Sequence, residues 1–153
     1  MIAQNTQAPD FTLPRDGEGE VTLSALIGGP VVLFFYPKDN TPGCTTEAID
    51  FTARIAEFDA LNCTVLGISK DSVKKHDNFR AKHDLGVALL SDANSDVCEK
   101  YGVWQEKKMY GKTFMGIVRT TVLIDANGKI ARIWNKVKIA GHAEEVLEAA
   151  RTL

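Results

Sequence analysis

A cysteine at the start of a helix is the feature of this sequence best suited to chemistry. Residues 34–44 read FFYPKDNTPGC, so an apolar segment is followed by a loop rich in proline and glycine, and an amphipathic pattern begins at Cys44. The first backbone N–H groups of a helix have no partners within it, and the positive end of the helix dipole lies there. Both favour the thiolate, which is the reactive form of cysteine.

A nearby cation would stabilise that thiolate further, and Arg119 is the candidate. It precedes the apolar segment 120–124 and follows Ile117 and Val118. Arginine stays charged and can bind two oxygen atoms at once. The residues alone leave a second interpretation open, in which Arg119 is a surface charge at a strand end. Other arginines occur in helical patterns or in an exposed hairpin: Arg54, Arg80, Arg132 and Arg151.

Three further residues of this segment have both a chemical and a structural interpretation. Thr41 lies three residues before Cys44, so a tight loop would bring its hydroxyl to the sulfur. Pro37 ends the strand and can also cover the thiolate against water. We expect Glu47 to cap the helix start and to take no part in chemistry, because a carboxylate near the sulfur disfavours the thiolate.

The elements that position these residues alternate between strands and helices. Apolar runs predict buried strands, 3.6-residue periodicity predicts helices, and the turn sequences at 16–19 and 125–128 predict two hairpins. This order predicts an α/β fold with a mixed sheet, flanking helices and an N-terminal β-hairpin, and a thioredoxin-like fold fits it. The predicted strands are 31–36, 63–69 and 87–90, and the predicted hairpins lie within 8–23 and at 120–124 with 129–134. The predicted helices are 44–61, a segment from an Asp71 N-cap through His83 that stops near Gly86, and 143–153. A helical turn is predicted at 24–28 and a short helix within 91–101, which Gly102 closes.

Length and composition indicate one ordinary domain over residues 1–153. The chain has 44% hydrophobic and 25% charged residues, and its net charge of −2 gives no reason to expect a nucleic acid or an anionic membrane as partner. The N-terminal residues lack the basic start and apolar run of a signal peptide, and we therefore expect a cytoplasmic protein. Three cysteines without a CxxC pair are too few for a disulfide framework.

Other kinds of cysteine chemistry find little support. A cysteine phosphatase needs Cys-x5-Arg, but Asp50 occupies that position, and a CxxxC copper chaperone would need a cysteine where Ala48 stands. A cysteine protease needs a histidine base, and we expect the histidines to be solvent-exposed. No Cys/His cluster has the spacing of metal ligands. The histidines are His76, His83 and His142.

The loop also resembles a known family. Residues 37–44, PKDNTPGC, match the peroxiredoxin motif PxxxTxxC, and the longer string FYPKDNTPGCTTEAIDF is similar to the PrxQ, or bacterioferritin comigratory protein, subfamily. The similarity covers nearly the whole chain. It includes APDFTL at 8–13, VLGIS at 65–69, LLSD at 89–92, YGVW at 101–104, MGIVRT at 115–120 and LID at 123–125.

This resemblance implies a thioredoxin-like fold and a thiol peroxidase that needs neither metal nor haem. It implies that Cys44 attacks hydrogen peroxide or an organic hydroperoxide and becomes a sulfenic acid. Thr41 and Arg119 would hold and polarise the peroxide, and Pro37 would shield the site.

The sequence departs from the subfamily at both usual positions of the second, resolving cysteine, which are Ile49 and Arg80 here. We expect a one-cysteine route in which thioredoxin, glutaredoxin or a small thiol reduces Cys44. Resolution by Cys98 or Cys63, or a disulfide between two chains, stays open, although a free cysteine more often packs as a small core residue. Cys98 is the better candidate because a short helix can unravel.

An alternative of another class is a peroxide-sensing or chaperone-like interaction protein with slow turnover. Turnover with a physiological reductant separates the two. We expect a monomer, with a dimer as the alternative.

Overall fold

A five-stranded mixed β-sheet forms the centre of the computed structural model, which describes residues 2–153. Met1, the first residue of the predicted domain, lies outside the described residues. The strands are β1 (Thr12–Pro14), β2 (Glu20–Thr22), β3 (Val31–Phe35), β4 (Thr64–Ser69), β5 (Ala88–Ser91), β6 (Trp104–Met109), β7 (Lys112–Ile117), β8 (Thr120–Ile124) and β9 (Ile130–Trp134). The helices are α1 (Pro42–Ala53), α2 (Ile55–Ala60), α3 (Val73–His83), α4 (Val97–Lys100) and α5 (His142–Arg151), and a 3-10 turn covers Leu23–Leu26.

Strand β3 lies in the middle of this sheet, whose order is β5-β4-β3-β8-β9. It runs parallel to β4 and antiparallel to β8. Its sequence VVLFF contains no polar residue and every side chain is buried, as expected for a strand with both faces covered. The prediction of an α/β fold with a mixed sheet and an N-terminal hairpin, β1–β2, is therefore confirmed.

Alternate side chains of β3 enter two separate cores, because successive residues of a strand point to opposite faces. Leu33 and Phe35 pack with the N-terminal hairpin and α4. Phe34 packs on the other face, where α1, α2, α3 and α5 lie, and it stacks on Phe51 at 4.8 Å between ring centroids. The sheet thus carries the cysteine helix α1 on one face only.

The predicted helix 44–61 is wrong in one respect, because it is two helices. Arg54 adopts φ −110° and ψ 8°, and its guanidinium donates to the carbonyl of Asp50 at 3.0 Å, which satisfies the C-terminal end of α1. Neither glycine nor proline marks the interruption. Phe51 of α1 and Phe58 of α2 still pack together, with ring centroids 6.0 Å apart.

The boundaries of α3 also differ from the prediction. Its N-cap is Ser72, whose hydroxyl accepts from the backbone N–H of Lys75 at 3.2 Å, and not Asp71. Asp71 instead accepts from the backbone N–H of Asp39 at 2.7 Å. The helix ends at His83, and the C-cap residue Asp84 takes the left-handed conformation that aspartate tolerates, so no glycine is needed.

The hairpin β6–β7 was not predicted from the sequence. Most of its side chains are exposed, so it lacks the apolar and polar alternation that marks a half-buried strand. Tyr110 and Gly111 form the turn with φ values of 52° and 75°. The short helix predicted within 91–101 is reduced to α4, and Gly102 follows it with a positive φ as expected.

Within residues 2–153, every helix is too short or too polar to cross a lipid bilayer.

Candidate active site

The register between β3 and β8 brings the two predicted centres of the site together. Phe35, the last residue of β3, pairs with Thr120, the first residue of β8. The loop that follows β3 and the residue that precedes β8 therefore lie at the same edge of the sheet. Cys44 follows that loop and Arg119 precedes Thr120. Strand pairing therefore brings together two residues that are 75 positions apart in sequence.

Cys44 occupies the first turn of α1. Thr41 is the N-cap and Pro42 is the first helical residue, a position where the missing N–H of proline costs nothing. The Cys44 side chain is buried, with 2% of the residue exposed. The Nη2 of Arg119 donates to the Cys44 sulfur at 3.3 Å. A thiolate here therefore faces both a guanidinium and the positive end of a helix.

The second half of the guanidinium is held by Glu47. Arg119 Nη1 donates to Glu47 Oε1 at 2.7 Å, and Glu47 is 1% exposed. Its other oxygen, Oε2, is buried and has no hydrogen-bond partner among the described residues. Burial raises the pKa of Glu47 to about 7, although Arg119 acts in the opposite direction. Burial opposes the charge of Arg119, but Glu47 and Cys44 outweigh it and raise the pKa of Arg119.

Glu47 is thus part of the site, and the sequence-based expectation of a simple helix cap is wrong. The spacing between Glu47 and Cys44 in the sequence could have indicated this. A residue three positions after Cys44 lies on the same face of a helix.

Thr41 and Pro37 lie in the loop that leads to Cys44. The Thr41 hydroxyl donates to the carbonyl of Lys38 at 2.7 Å, so its proton is held within the loop and its lone pairs can accept. Among the described residues, Thr41 and Cys44 side chains form no hydrogen bond with each other. Pro37 is half-buried at the end of β3.

A second loop, residues 135–141, forms another wall of the site. The backbone N–H of Val137 donates to the carbonyl of Arg119 at 3.0 Å. A Cβ on Gly43 would lie 3.2 Å from Ile139 Cδ1 and 3.3 Å from Arg119 Nη2. The absence of a side chain at Gly43 therefore gives the guanidinium its close approach to the helix start.

Two of the three histidines are buried, so the expectation that they are solvent-exposed is wrong for His76 and His142. His142 Nε2 lies 2.8 Å from the Thr121 hydroxyl, and burial lowers the pKa of His142 to about 4. His76 contacts Asp39 and the carbonyl of Leu90. Their polar partners come from other elements, which a helical pattern does not reveal.

The other two cysteines are core residues. Cys63 is 2% exposed and Cys98 is fully buried. Burial, with Asp59 nearby, raises the pKa of the Cys63 thiol to about 12, and burial, with Asp92 nearby, raises the pKa of Cys98 further. Burial therefore disfavours the reactive thiolate at both positions.

Neither usual resolving position carries a sulfur. Ile49 is 43% exposed on α1. Arg80 on α3 donates to the Asp16 carboxylate and to the carbonyl of Leu85. Over residues 2–153, no group of three or more His, Cys, Asp and Glu side chains is arranged to hold a metal ion.

This arrangement suits nucleophilic attack by sulfur on an electron-poor atom. A buried cysteine faces a fixed guanidinium, whose positive charge favours the sulfur anion and can also accept negative charge that develops on a leaving group.

Comparison with known proteins points to one family. The model of the AhpC/TSA family matches residues 5–133. The putative peroxiredoxin bcp of Coxiella burnetii is 51% identical over 95% of this chain and 97% of its own length. Peroxiredoxin Bcp of Xanthomonas campestris is 47% identical over 93% of this chain and 89% of its own length.

Solved structures agree with these relatives. A crystal structure of a mutant of Xylella fastidiosa PrxQ has a TM-score of 0.94 at 39% identity and covers 99% of this chain and 97% of that chain. The Xanthomonas campestris bacterioferritin comigratory protein, studied for alkyl peroxide reduction, has a TM-score of 0.88 at 46% identity and covers 93% of this chain and 90% of that chain. The expectation of a thioredoxin-like fold is confirmed by these neighbours.

Proposed function

Because this chain belongs to the AhpC/TSA family and is a thiol-dependent peroxidase of the peroxiredoxin type, we propose that Cys44 is the residue that attacks the hydroperoxide. One observation carries the proposal. Arg119 Nη2 lies 3.3 Å from the sulfur of Cys44, in the first turn of α1. In the described residues, Cys63 and Cys98 have no cation within hydrogen-bond distance of the sulfur, and the pKa of each thiol is raised, so neither competes for this role.

The first step is a displacement at oxygen. The Cys44 thiolate donates an electron pair to the terminal oxygen of the peroxide, the S–O bond forms as the O–O bond breaks, and the other oxygen leaves with negative charge. That oxygen takes a proton and departs as water or an alcohol. Arg119 stabilises the developing charge, and the Thr41 hydroxyl accepts a hydrogen bond from the peroxide. Pro37 limits the access of water.

The second step returns Cys44 to a thiol, and we propose a one-cysteine route. A first external thiol displaces water from the sulfenic acid to give a mixed disulfide. A second thiol then releases Cys44 and leaves as a disulfide. Two features support this route. The usual resolving positions carry Ile49 and Arg80, and both remaining cysteines are buried with raised pKa values.

The proposed partners follow from this chemistry. Thioredoxin, glutaredoxin or a small thiol supplies the electrons, and hydrogen peroxide or an alkyl hydroperoxide is the oxidant. We propose a cytoplasmic location, where such thiols are reduced. We also propose a monomer; a dimer would use the exposed apolar side chains of the β6–β7 hairpin, which are Met109, Tyr110, Phe114 and Met115.

Peroxide consumption by cysteine variants tests the assignment. Cys44→Ser should abolish reaction with hydrogen peroxide, while Cys63→Ser and Cys98→Ser should keep the wild-type rate constant. Activity that persists in Cys44→Ser would refute the assignment.

Mass spectrometry after one equivalent of peroxide tests the route. We expect one oxygen on the Cys44 peptide and no disulfide to another cysteine of the chain. An internal disulfide to Cys98 or Cys63 would replace the one-cysteine route with resolution by that residue, and a disulfide-linked dimer would replace it with resolution between chains.

A further inference from the structure

A buried group of polar side chains lies under the loop that leads to Cys44 and has no part in the mechanism above. We refer to Tyr36, Asp39 and His76 as the loop anchor. His76 is 0% exposed and Asp39 is 8% exposed. Tyr36 directly follows the central strand β3, Asp39 belongs to the loop, and His76 belongs to α3. The anchor therefore joins three separate parts of the fold.

The contacts of Asp39 hold the loop on two sides. Its Oδ1 accepts from the Tyr36 hydroxyl at 2.6 Å, and its Oδ2 lies 2.6 Å from His76 Nδ1. Its backbone N–H donates to Asp71 Oδ2 at 2.7 Å. Asp39 follows Lys38, whose carbonyl accepts from the Thr41 hydroxyl. A shift of Asp39 would thus move Thr41 and the start of α1.

The geometry of His76 requires a proton between the imidazole and the carboxylate. Its Nε2 lies 2.9 Å from the carbonyl oxygen of Leu90, which can only accept, so Nε2 carries a hydrogen. Nδ1 faces a carboxylate oxygen, which also only accepts when it is ionised. A hydrogen must therefore lie on Nδ1 or on Asp39 Oδ2. Without it, two lone pairs would face each other at 2.6 Å inside the protein.

We propose that His76 is a positioning residue whose shared proton with Asp39 locks the loop 37–43 in the conformation that presents Thr41 and Cys44 to the peroxide. This inference rests on the proposed role of Cys44. Loss of the imidazole, or of the shared proton, removes one of the two side-chain contacts of Asp39 and lets the loop move. The lock acts on the peroxide step through the loop, since His76 and Cys44 share no hydrogen bond in the described residues.

The charged and titratable groups that face His76 favour the protonated pair. Asp39 comes from the loop, Asp71 from the segment between β4 and α3, and Tyr36 from the position directly after β3. Burial opposes a charge on His76, but the hydrogen bond and charge of Asp39, with a smaller effect of Asp71, raise the pKa of His76 above 6.5. Burial and Asp39 raise the pKa of Tyr36, so its hydroxyl remains a donor.

The direction of the pH effect follows from the raised pKa. The stabilisation by the pair is complete below the ordinary histidine pKa and is lost as the pH rises through the value in the folded protein. The wild-type rate constant should therefore fall as the pH rises into the alkaline range. Glu47 also titrates near neutral pH, so the test must change the anchor and leave Glu47 intact.

Two variants test the lock, and a third is the control. His76→Phe removes both donors and should lower the second-order rate constant with hydrogen peroxide at pH 7 by up to about 100-fold, the loss that a misplacement of about 1 Å can cause. Asp39→Asn should stay close to wild type at pH 7, because its amide N–H can donate to a neutral His76. The rate constant of Asp39→Asn should not decrease at alkaline pH as that of wild type does. His83→Phe changes another histidine of α3 and should match wild type throughout.

Amide hydrogen exchange of the peptide that covers residues 37–43 gives a readout that does not depend on activity. His76→Phe should exchange faster than wild type, and wild type should lose protection at alkaline pH while Asp39→Asn keeps it. The proposal would be refuted if His76→Phe kept the wild-type rate constant and the wild-type amide exchange. It would also be refuted if the rate constant of Asp39→Asn still decreased at alkaline pH. If wild type does not react with peroxide, the proposed function fails, and exchange alone decides the lock. If His76→Phe does not fold, the pH profile of Asp39→Asn decides it.

Discussion

Arg119 and Glu47 form an ion pair across 72 residues of sequence, with Arg119 Nη1 at 2.7 Å from Glu47 Oε1. The carboxylate fixes one side of the guanidinium, so the other side faces the sulfur of Cys44. It also reduces the positive charge that the sulfur experiences. The orientation of Arg119 and the electrostatics of the thiol therefore depend on the same buried carboxylate.

Arg119→Ala should slow the attack on hydrogen peroxide by about 10²- to 10³-fold, the usual effect of removing a donor that stabilises developing charge. Arg119→Lys should give an intermediate rate constant, because an ammonium is a point charge and cannot reach sulfur and carboxylate with two fixed donors. Stopped-flow measurement of the second-order rate constant checks both. Arg132→Ala, at an exposed arginine over Trp134, is the control. A normal rate in Arg119→Ala would exclude Arg119 from the mechanism.

Glu47→Gln should remove a pH dependence of stability. Burial raises the folded-state pKa of Glu47 from 4.5 to about 7, so the folded protein binds this proton more tightly than the unfolded chain does. Stability is therefore lost as the pH rises from about 4.5 to 7, by roughly 3 kcal/mol. In urea unfolding, the free energy of unfolding of the variant relative to wild type should be higher at pH 8 than at pH 5. Glu57→Gln changes an exposed carboxylate, and its stability should change with pH as that of wild type does. The same pH dependence in Glu47→Gln would contradict the prediction.

Gly43→Ala should slow the attack about tenfold while the fold stays intact, because the new methyl would lie 3.3 Å from Arg119 Nη2 and displace the guanidinium. Stopped-flow kinetics measures the rate of attack, and urea unfolding measures whether the stability of the fold has changed. Gly86→Ala is a matched control, since its Cβ would meet the Thr52 methyl at the same 3.3 Å, away from the site. Equal rates for the two variants would mean that the close approach at Gly43 has no role in positioning Arg119.

His142→Gln should protect the fold against acid. Burial, together with Arg119 and Arg132, lowers the folded-state pKa of His142 from 6.5 to about 4. The folded protein thus binds this proton less tightly than the unfolded chain does, and the stability contributed by neutral His142 is full above pH 6.5 and is lost as the pH falls towards 4. The effect is roughly 3 kcal/mol.

Urea unfolding of wild type and His142→Gln at pH 7 and pH 4.5 measures this effect. The difference between the two proteins is the relevant quantity, because Glu47 changes the stability of both in the opposite direction. We expect the variant to lose less stability on acidification. Equal losses would contradict the prediction, and His83→Gln provides the comparison at a half-buried histidine.

Local patterns predicted the parts of the site that depend on local structure. Cys44 at a helix start and Arg119 at a strand start follow from the proline and glycine of the loop and from the apolar run of β8. Their meeting depends on strand register. Five consecutive apolar residues in β3 predict a central strand but do not say which strand lies beside it.

The missed residues are polar groups whose partners come from distant elements. Glu47 and His76 lie on helices where a charged or polar residue usually faces solvent, and only the fold supplies Arg119 and Asp39 as partners. The hairpin β6–β7 was missed because its mostly exposed side chains carry no alternating pattern. The interruption at Arg54 was missed because a side chain, and not glycine or proline, satisfies the helix end.

The β6–β7 turn has a consequence for engineering. Tyr110 and Gly111 lie between the two halves of the site, and Tyr110 is 95% exposed. A chain divided at this turn would carry Cys44 on its N-terminal fragment and Arg119 on its C-terminal fragment. Peroxide reactivity would then return only when the two fragments reassemble, which would make this protein a split reporter of molecular proximity.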